Sequence, residues 1–507
     1  MAPSRFIFAA LIAALLAVSC EGNNFISNAL GSNMVLQRAP YKARIWGWTL
    51  TAGATVSLEI EGRRQNDTYT VTSDSDLSWT IELKPTLAGG PHTITVSSTD
   101  GQSQVLENVM FGDVWVCSGQ SNMEFVVSQS FNGSKYISIA NSYADVRLFT
   151  VGQGTTSYDP LEEFATVEQS WTPASPDSVA GGDYTRFSAV CYYFGINLYE
   201  YYLVPIGLVS SNWGGTYIQA WSSPDALSRC TSEDYKTEEL PTESEFPAKM
   251  FAEETAGNPN EPSVLWNAMI YPLLNMRVRG AIWYQGESNV GAAKAYACQF
   301  PAMILDWREK WDENFEEFGF HFVQLAPYTN GNNGLLADQR LAQTDALHLP
   351  GVGFACTIDL GDATSPYGNI HPRDKYDVGY RLFLNALYFT YHETHIQYLG
   401  PTVSQVTIND TSAIVEFLDE TTAGIFLAPA ECPSNIPAGS CAGAELLSVD
   451  GAWHNATITL SGNTAIFALE GQAKRIIGAR YAYADWPLAI IFNKNGLPAP
   501  PFFFHFS

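Results

Sequence analysis

The chain has 507 residues, too many for one compact core, so two or three domains are expected. Its composition, 46% hydrophobic and 15% charged, is that of a globular protein. A formal net charge of −26 argues against nucleic acid or an anionic membrane as partner, because phosphates would be repelled.

At the N-terminus, Arg5 precedes an apolar run from Phe6 to Val18, with the small residues Ala17 and Ser19 ahead of Cys20. The run is too short to span a membrane and has the form of a secretory signal over residues 1–19. The rival reading is a bacterial lipoprotein acylated at Cys20, which Ala17 disfavours because a large aliphatic is usual there. Four Asn-x-Ser/Thr acceptors, at Asn66, Asn132, Asn409 and Asn455, lean towards a eukaryotic secretory route, secreted or lysosomal. No later stretch reaches the roughly 18 apolar residues that a membrane span needs.

From about residue 24 to 108 the pattern is short, alternating and punctuated by turns, as in "ARIWGWTLTAGATVSLEIEG", which predicts a small all-β domain. Between 109 and 399, apolar strands alternate with longer helical stretches, the signature of an α/β fold with a parallel sheet. "VCYYFGINLYEYY" and "KYDVGYRLFLNALYFTYH" are its clearest helices. Within it, residues 222–262 are rich in Glu, Ser, Thr and Pro and read as a solvated excursion. Short alternating strands return over 400–507 as a second β region. Cys20 aside, seven cysteines remain, and an odd number leaves at least one free thiol in an oxidising compartment. Cys432 and Cys441 bracket a Pro/Gly/Ser-rich loop and are the best local disulfide candidates; Cys117 and Cys356, inside apolar strands, read as buried thiols. No Cys/His cluster has zinc-site spacing, so no metal is expected.

Four strands of the α/β region stop at polar clusters. "DVWVC" runs into Gly119-Gln120-Ser121, and the strand from Ile206 to Ser210 runs into "SNWGGTYIQAW". "GAIWYQ" leads to Gly286-Glu287-Ser288-Asn289, and "VGFACTIDLGD" leads through a loop to "YGNIHPRDK". In an open parallel sheet such ends share one edge, where ligands bind. A serine, two glycines, a Gln/Glu/Asn cluster and a histidine would then converge, which is the inventory of a serine esterase. Ser121 at a strand-to-helix turn places its hydroxyl where backbone N–H groups can hold an oxyanion, or else simply caps the helix. Gly214 and Gly215 let backbone approach a substrate oxygen. His371, followed by Pro372, suits a helix N-terminus, where imidazole stays neutral and ready to accept a proton. The segment G-Q-S-N-M is not the G-x-S-x-G elbow of α/β-hydrolases.

Taken together, "GDVWVCSGQSNMEF", "NWGGTYIQAW", "IWYQGESN" and "NIHPRDK" resemble the sialate O-acetylesterases, within the SGNH-type hydrolases, over almost the whole chain. The resemblance implies an SGNH-like parallel sheet and hydrolysis of O-acetylated sugars without a cofactor. It makes Ser121 the nucleophile and His371 the general base, with the N–H groups of Ser121 and Gly215 and the Gln285 amide as oxyanion donors. Many SGNH enzymes carry an aspartate three residues before the histidine, where this chain has Gly368. Related acetylxylan esterases use the glutamate of the QGE block, so Glu287 is the favoured orienter of His371, with Asp359, Asp362 or a backbone carbonyl as alternatives. Arg340 and Arg373 are the candidates to receive a sialate carboxylate. Acetylxylan or another polysaccharide is the alternative substrate, and an inactive carbohydrate-binding protein the alternative of another class.

Overall fold

The computed structural model describes residues 24–62, 65–180, 187–230, 257–311, 317–329, 334–469 and 475–505. The signal segment with Cys20, and most of the 222–262 excursion, lie outside them.

The N-terminal strands are β1 (Val35–Gln37), β2 (Arg44–Trp48), β3 (Thr55–Gly62), β4 (Gln65–Thr72), β5 (Ser78–Glu82) and β6 (Gly89–Ser98). β7 (Ser103–Gly119) then carries the chain from this region into the centre of the molecule without a break. Its first part is mostly exposed, with Leu106 turned inward, and pairs antiparallel with β6; from Val109 onward every residue is buried. A strand covered on both faces needs apolar residues at successive positions, and "VMF" and "VWVC" supply them on either side of Gly112 and Asp113.

Around the second half of β7 lie β8 (Val146–Val151), β9 (Val167–Pro173), β10 (Ile206–Asn212), β11 (Gly280–Tyr284), β12 (Gly319–Gln324) and β13 (Val352–Cys356). Their order is β13-β12-β11-β7-β10-β8-β9, parallel except for the antiparallel pair β8–β9. The fold is thus α/β with a mixed core sheet flanked by smaller β-sheets. The period of two sorts the side chains by face. Trp115, Cys117, Ile282 and Tyr284 enter one core, and Val114, Val116, Ala281 and Trp283 the other.

α1 (Ser121–Glu124) is a single turn after β7, and α2 (Ala189–Tyr202), α3 (Ala293–Lys310), α4 (Leu335–Thr344) and α5 (Lys375–Asn385) are the longer helices. Cys117 is not a free thiol. It faces the side that α2 covers and forms a disulfide with Cys191, 74 residues away. Cys230 joins Cys298, Cys432 joins Cys441, and Cys356 is a buried free thiol. Beyond residue 400, two four-stranded antiparallel sheets pack through Phe467, Tyr481 and Phe502. Among the described residues, no helix is long and apolar enough to cross a membrane.

Candidate active site

The ends of β10, β7 and β11 are level: Gly119 lies opposite Asn212 on one side and Tyr284 on the other. After β7 the chain builds β8 and β10 to one side and later β11 to β13 to the other, so β7 marks the switch point of the sheet. Gly119 lets the strand end there, because at φ +140° a Cβ would lie 2.2 Å from the Tyr284 carbonyl oxygen.

Gln120 is the N-cap of α1, without a side-chain capping bond, and Ser121 is the first helical residue. The Ser121 hydroxyl is therefore not used for capping. It lies 2.8 Å from His371 Nε2. His371 Nδ1 lies 2.8 Å from the carbonyl oxygen of Tyr367. A carbonyl only accepts, so Nδ1 carries the proton and Nε2 presents its lone pair to the serine. Burial is the main influence lowering the His371 pKa; the Tyr367 carbonyl opposes it and nearby Lys375 reinforces it. The helix-terminus argument for that neutrality does not hold: α5 begins at Lys375, N-capped by Asp374, three residues beyond His371.

The loop bearing His371 is braced internally. Its N–H donates to Gly368 O, and its own carbonyl accepts from the Ser365 hydroxyl at 2.7 Å. Gly368, with φ +84°, provides the turn that swings the preceding carbonyl onto the imidazole. Glycine at this position thus replaces an aspartate side chain with main chain.

Glu287 is not the partner of His371. It is buried, and its Oε1 accepts from Asn122 Nδ2 at 2.5 Å. The alternatives Asp359 and Asp362 are held by the forks of Arg381 (2.6 and 2.7 Å) and Arg373 (2.6 and 3.0 Å). Gln285 is also corrected: Nε2 donates to Thr216 O and Asn289 Oδ1, and Oε1 accepts from Tyr296, so its amide braces the loop after β11. Fully buried Arg340 binds four carbonyls, those of Leu325, Ala326, Ala484 and Asp485, and fastens α4 to the C-terminal region. Arg373 is half-buried, pairs with Asp362 and covers the Phe131 ring at 4.5 Å.

Gly214 lies against the nucleophile, where an added Cβ would be 3.2 Å from Ser121 Cβ. Its N–H donates to Glu124 Oε2 at 2.7 Å, drawing the loop after β10 over α1. Among the described residues, the N–H groups of Ser121 and Gly215 have no acceptor. The block "GQSNMEF" contains Asn122 and Glu124 but does not reveal their roles, which depend on loops 248 and 90 residues away.

A serine-histidine pair at the switch point of a mixed α/β sheet is the framework of a serine-type hydrolase. No family model matches the chain. It is 35% identical to the sialate O-acetylesterase of Mus musculus, covering 92% of this chain and 92% of that protein. To that of Homo sapiens it is 32% identical, covering 93% and 91%. Among solved structures, a carbohydrate acetylesterase from Xanthomonas citri superposes with a TM-score of 0.79 at 30% identity, covering 94% of this chain and 99% of that one. The chain belongs to the sialate O-acetylesterase family.

Proposed function

We propose that the protein is a serine-type carbohydrate O-acetylesterase of SGNH type that removes O-acetyl groups from sialic acids. The observation that carries this reading is the 2.8 Å approach of Ser121 Oγ to an imidazole whose other nitrogen is fixed on a main-chain carbonyl. His371 Nε2 takes the hydroxyl proton as Oγ attacks the acetyl carbonyl carbon. The oxyanion is received by the N–H groups of Ser121 and Gly215. His371 then protonates the departing sugar oxygen, and a water activated by the same nitrogen releases acetate and frees the serine. Every step is proton transfer and acyl transfer by this chain's own groups.

A second reading, the same chemistry on an uncharged acetylated polysaccharide, is favoured by one observation: both arginines foreseen for a sialate carboxylate are already engaged. Acetate release from O-acetylated sialosides, measured beside acetylated xylan, separates the two. Hydrolysis of neither, nor of p-nitrophenyl acetate, would leave only the carbohydrate-binding alternative. A secretory location is also proposed, supported by three disulfides and by the exposure of all four glycan-acceptor asparagines.

A further inference from the structure

Beneath the serine and histidine lies a buried group with no part in the proton transfers. Asn122, Glu287 and Lys375 are 1%, 2% and 0% exposed. Each polar atom of the Asn122 amide is used. Nδ2 donates to Glu287 Oε1 at 2.5 Å and to Ile370 O at 2.9 Å, and Oδ1 accepts from Lys375 Nζ at 2.6 Å. Lys375 is further enclosed by the rings of Phe125 and Tyr284, at 4.7 and 5.4 Å.

The chain positions make this more than core packing. Asn122 directly follows Ser121, and Ile370 directly precedes His371. The Asn122–Ile370 bond therefore joins two segments 248 residues apart, one residue from each reacting atom. A side-chain amide bonded only to that carbonyl would be free to rotate. Here the carboxylate at its nitrogen and the ammonium at its oxygen allow one orientation, with the amide dipole aligned between opposite charges. An aspartate would set a carboxylate against Glu287, and an aliphatic residue would strand both charged groups.

We propose that Asn122 is a positioning residue of the acyl-transfer site, its amide locked between Glu287 and Lys375 so that it sets the separation of Ser121 Oγ and His371 Nε2. This rests on the serine-histidine reading above. Glu287 thus acts through Asn122, not on the imidazole. Burial raises the Glu287 pKa and lowers that of Lys375, and the charge of each partly offsets the shift of the other.

The test compares Asn122→Ala, Glu287→Leu and Glu287→Gln by steady-state kinetics on p-nitrophenyl acetate, with circular dichroism as the check of folding. A displacement of about 1 Å between reacting groups costs on the order of 10²-fold, so Asn122→Ala and Glu287→Leu should each lower kcat by about that factor, with KM within about threefold. Glu287→Gln keeps an acceptor of the same shape and should stay within about fivefold of the parent, whereas loss of a triad carboxylate's charge would cost about 10⁴-fold. Asn122→Ala within threefold of the parent rate would overturn the proposal, as would Glu287→Gln falling as far as Glu287→Leu. If Asn122→Ala does not fold, the two Glu287 variants decide alone. Ser121→Ala, assayed in parallel, separates failure of the catalytic reading: if it stays active, the nucleophile is wrong whatever the other variants do.

Discussion

The stretch of β7 that pairs with β10, Asp113 to Gly119, lies between two polar clusters of opposite character. At one end, Asp113 accepts from Arg38 Nε and Nη2 (both 2.9 Å), from Gln37 Nε2 (3.1 Å) and from the Tyr391 hydroxyl (3.0 Å). The Tyr391 hydroxyl accepts in turn from Trp115 Nε1, and Arg279 covers the rings of Tyr41 and Tyr391. Both carboxylate oxygens are filled, and the cluster ties the N-terminal strands to the core sheet. Just past the other end, the Ser121 hydroxyl has one side-chain partner, half-buried His371, and two neighbouring N–H groups have none among the described residues. Burial and charge mark both clusters. What separates a reaction site from a structural lock is the presence of groups left uncommitted.

Substituting one residue at each end makes the contrast measurable. Ser121→Ala should lower turnover on the order of 10⁴-fold while the melting temperature stays within about 2 °C. Retention of a tenth of the parent rate would remove Ser121 from the nucleophile's role. Asp113→Ala should do the reverse: breaking a buried charge pair destabilises by about 3 kcal/mol, while kcat per folded molecule stays within about twofold. Denaturant unfolding and active-site titration read the two quantities separately, and an intact stability would show that Asp113 is no lock.

The pH profile sharpens the same contrast. His371 must be neutral to take the serine proton, so protonation inactivates the enzyme. Below the histidine pKa the rate should fall about tenfold per pH unit, and above it the rate should level off. Because burial lowers that pKa, the midpoint should lie below the ordinary histidine value of about 6.5. Asp113→Asn, six residues before Gly119 in β7, should leave the midpoint in place. A rate that falls as pH rises through this range contradicts the role of base.

Much of this arrangement was legible in the sequence, for identifiable reasons. The run "VWVC" before Gly119 reads as a strand buried on both faces, and parallel strands ending in polar clusters have to share an edge. Ser121 and His371 were therefore readable as neighbours despite a separation of 250 residues. Partner choice was not readable. Glu287 and Gln285 belong to one motif and read as free to serve the reaction, yet both are consumed by Asn122, Thr216, Asn289 and Tyr296, which tertiary packing delivers. Arg340 carries a charge usually left in solvent, and only the fold reveals four carbonyls needing donors around it. Cys117 looked like a core thiol because periodicity fixes the face of a strand and not the cysteine that covers it.

The carbonyl of Tyr367 was the hardest element to read, since every residue has one, and it gives the smallest and most discriminating prediction. An orienting carboxylate can be deleted by mutation; an orienting carbonyl cannot. The Tyr367 side chain is 40% exposed and meets Phe125 edge-on at 5.2 Å, and Tyr367 bonds His371 through the main chain. Tyr367→Leu keeps the carbonyl, and Gly368 keeps the turn that aims it, so kcat should change less than about threefold, against about 10⁴-fold for loss of a triad acid. Gly368→Ala should cost more, because φ +84° is a conformation that a Cβ disfavours, and relaxing it withdraws the carbonyl from Nδ1. The order of the two variants is the measurement that matters. If Tyr367→Leu proves the more damaging, the side chain rather than the peptide supports the histidine, and the main-chain substitute for the missing aspartate has to be abandoned.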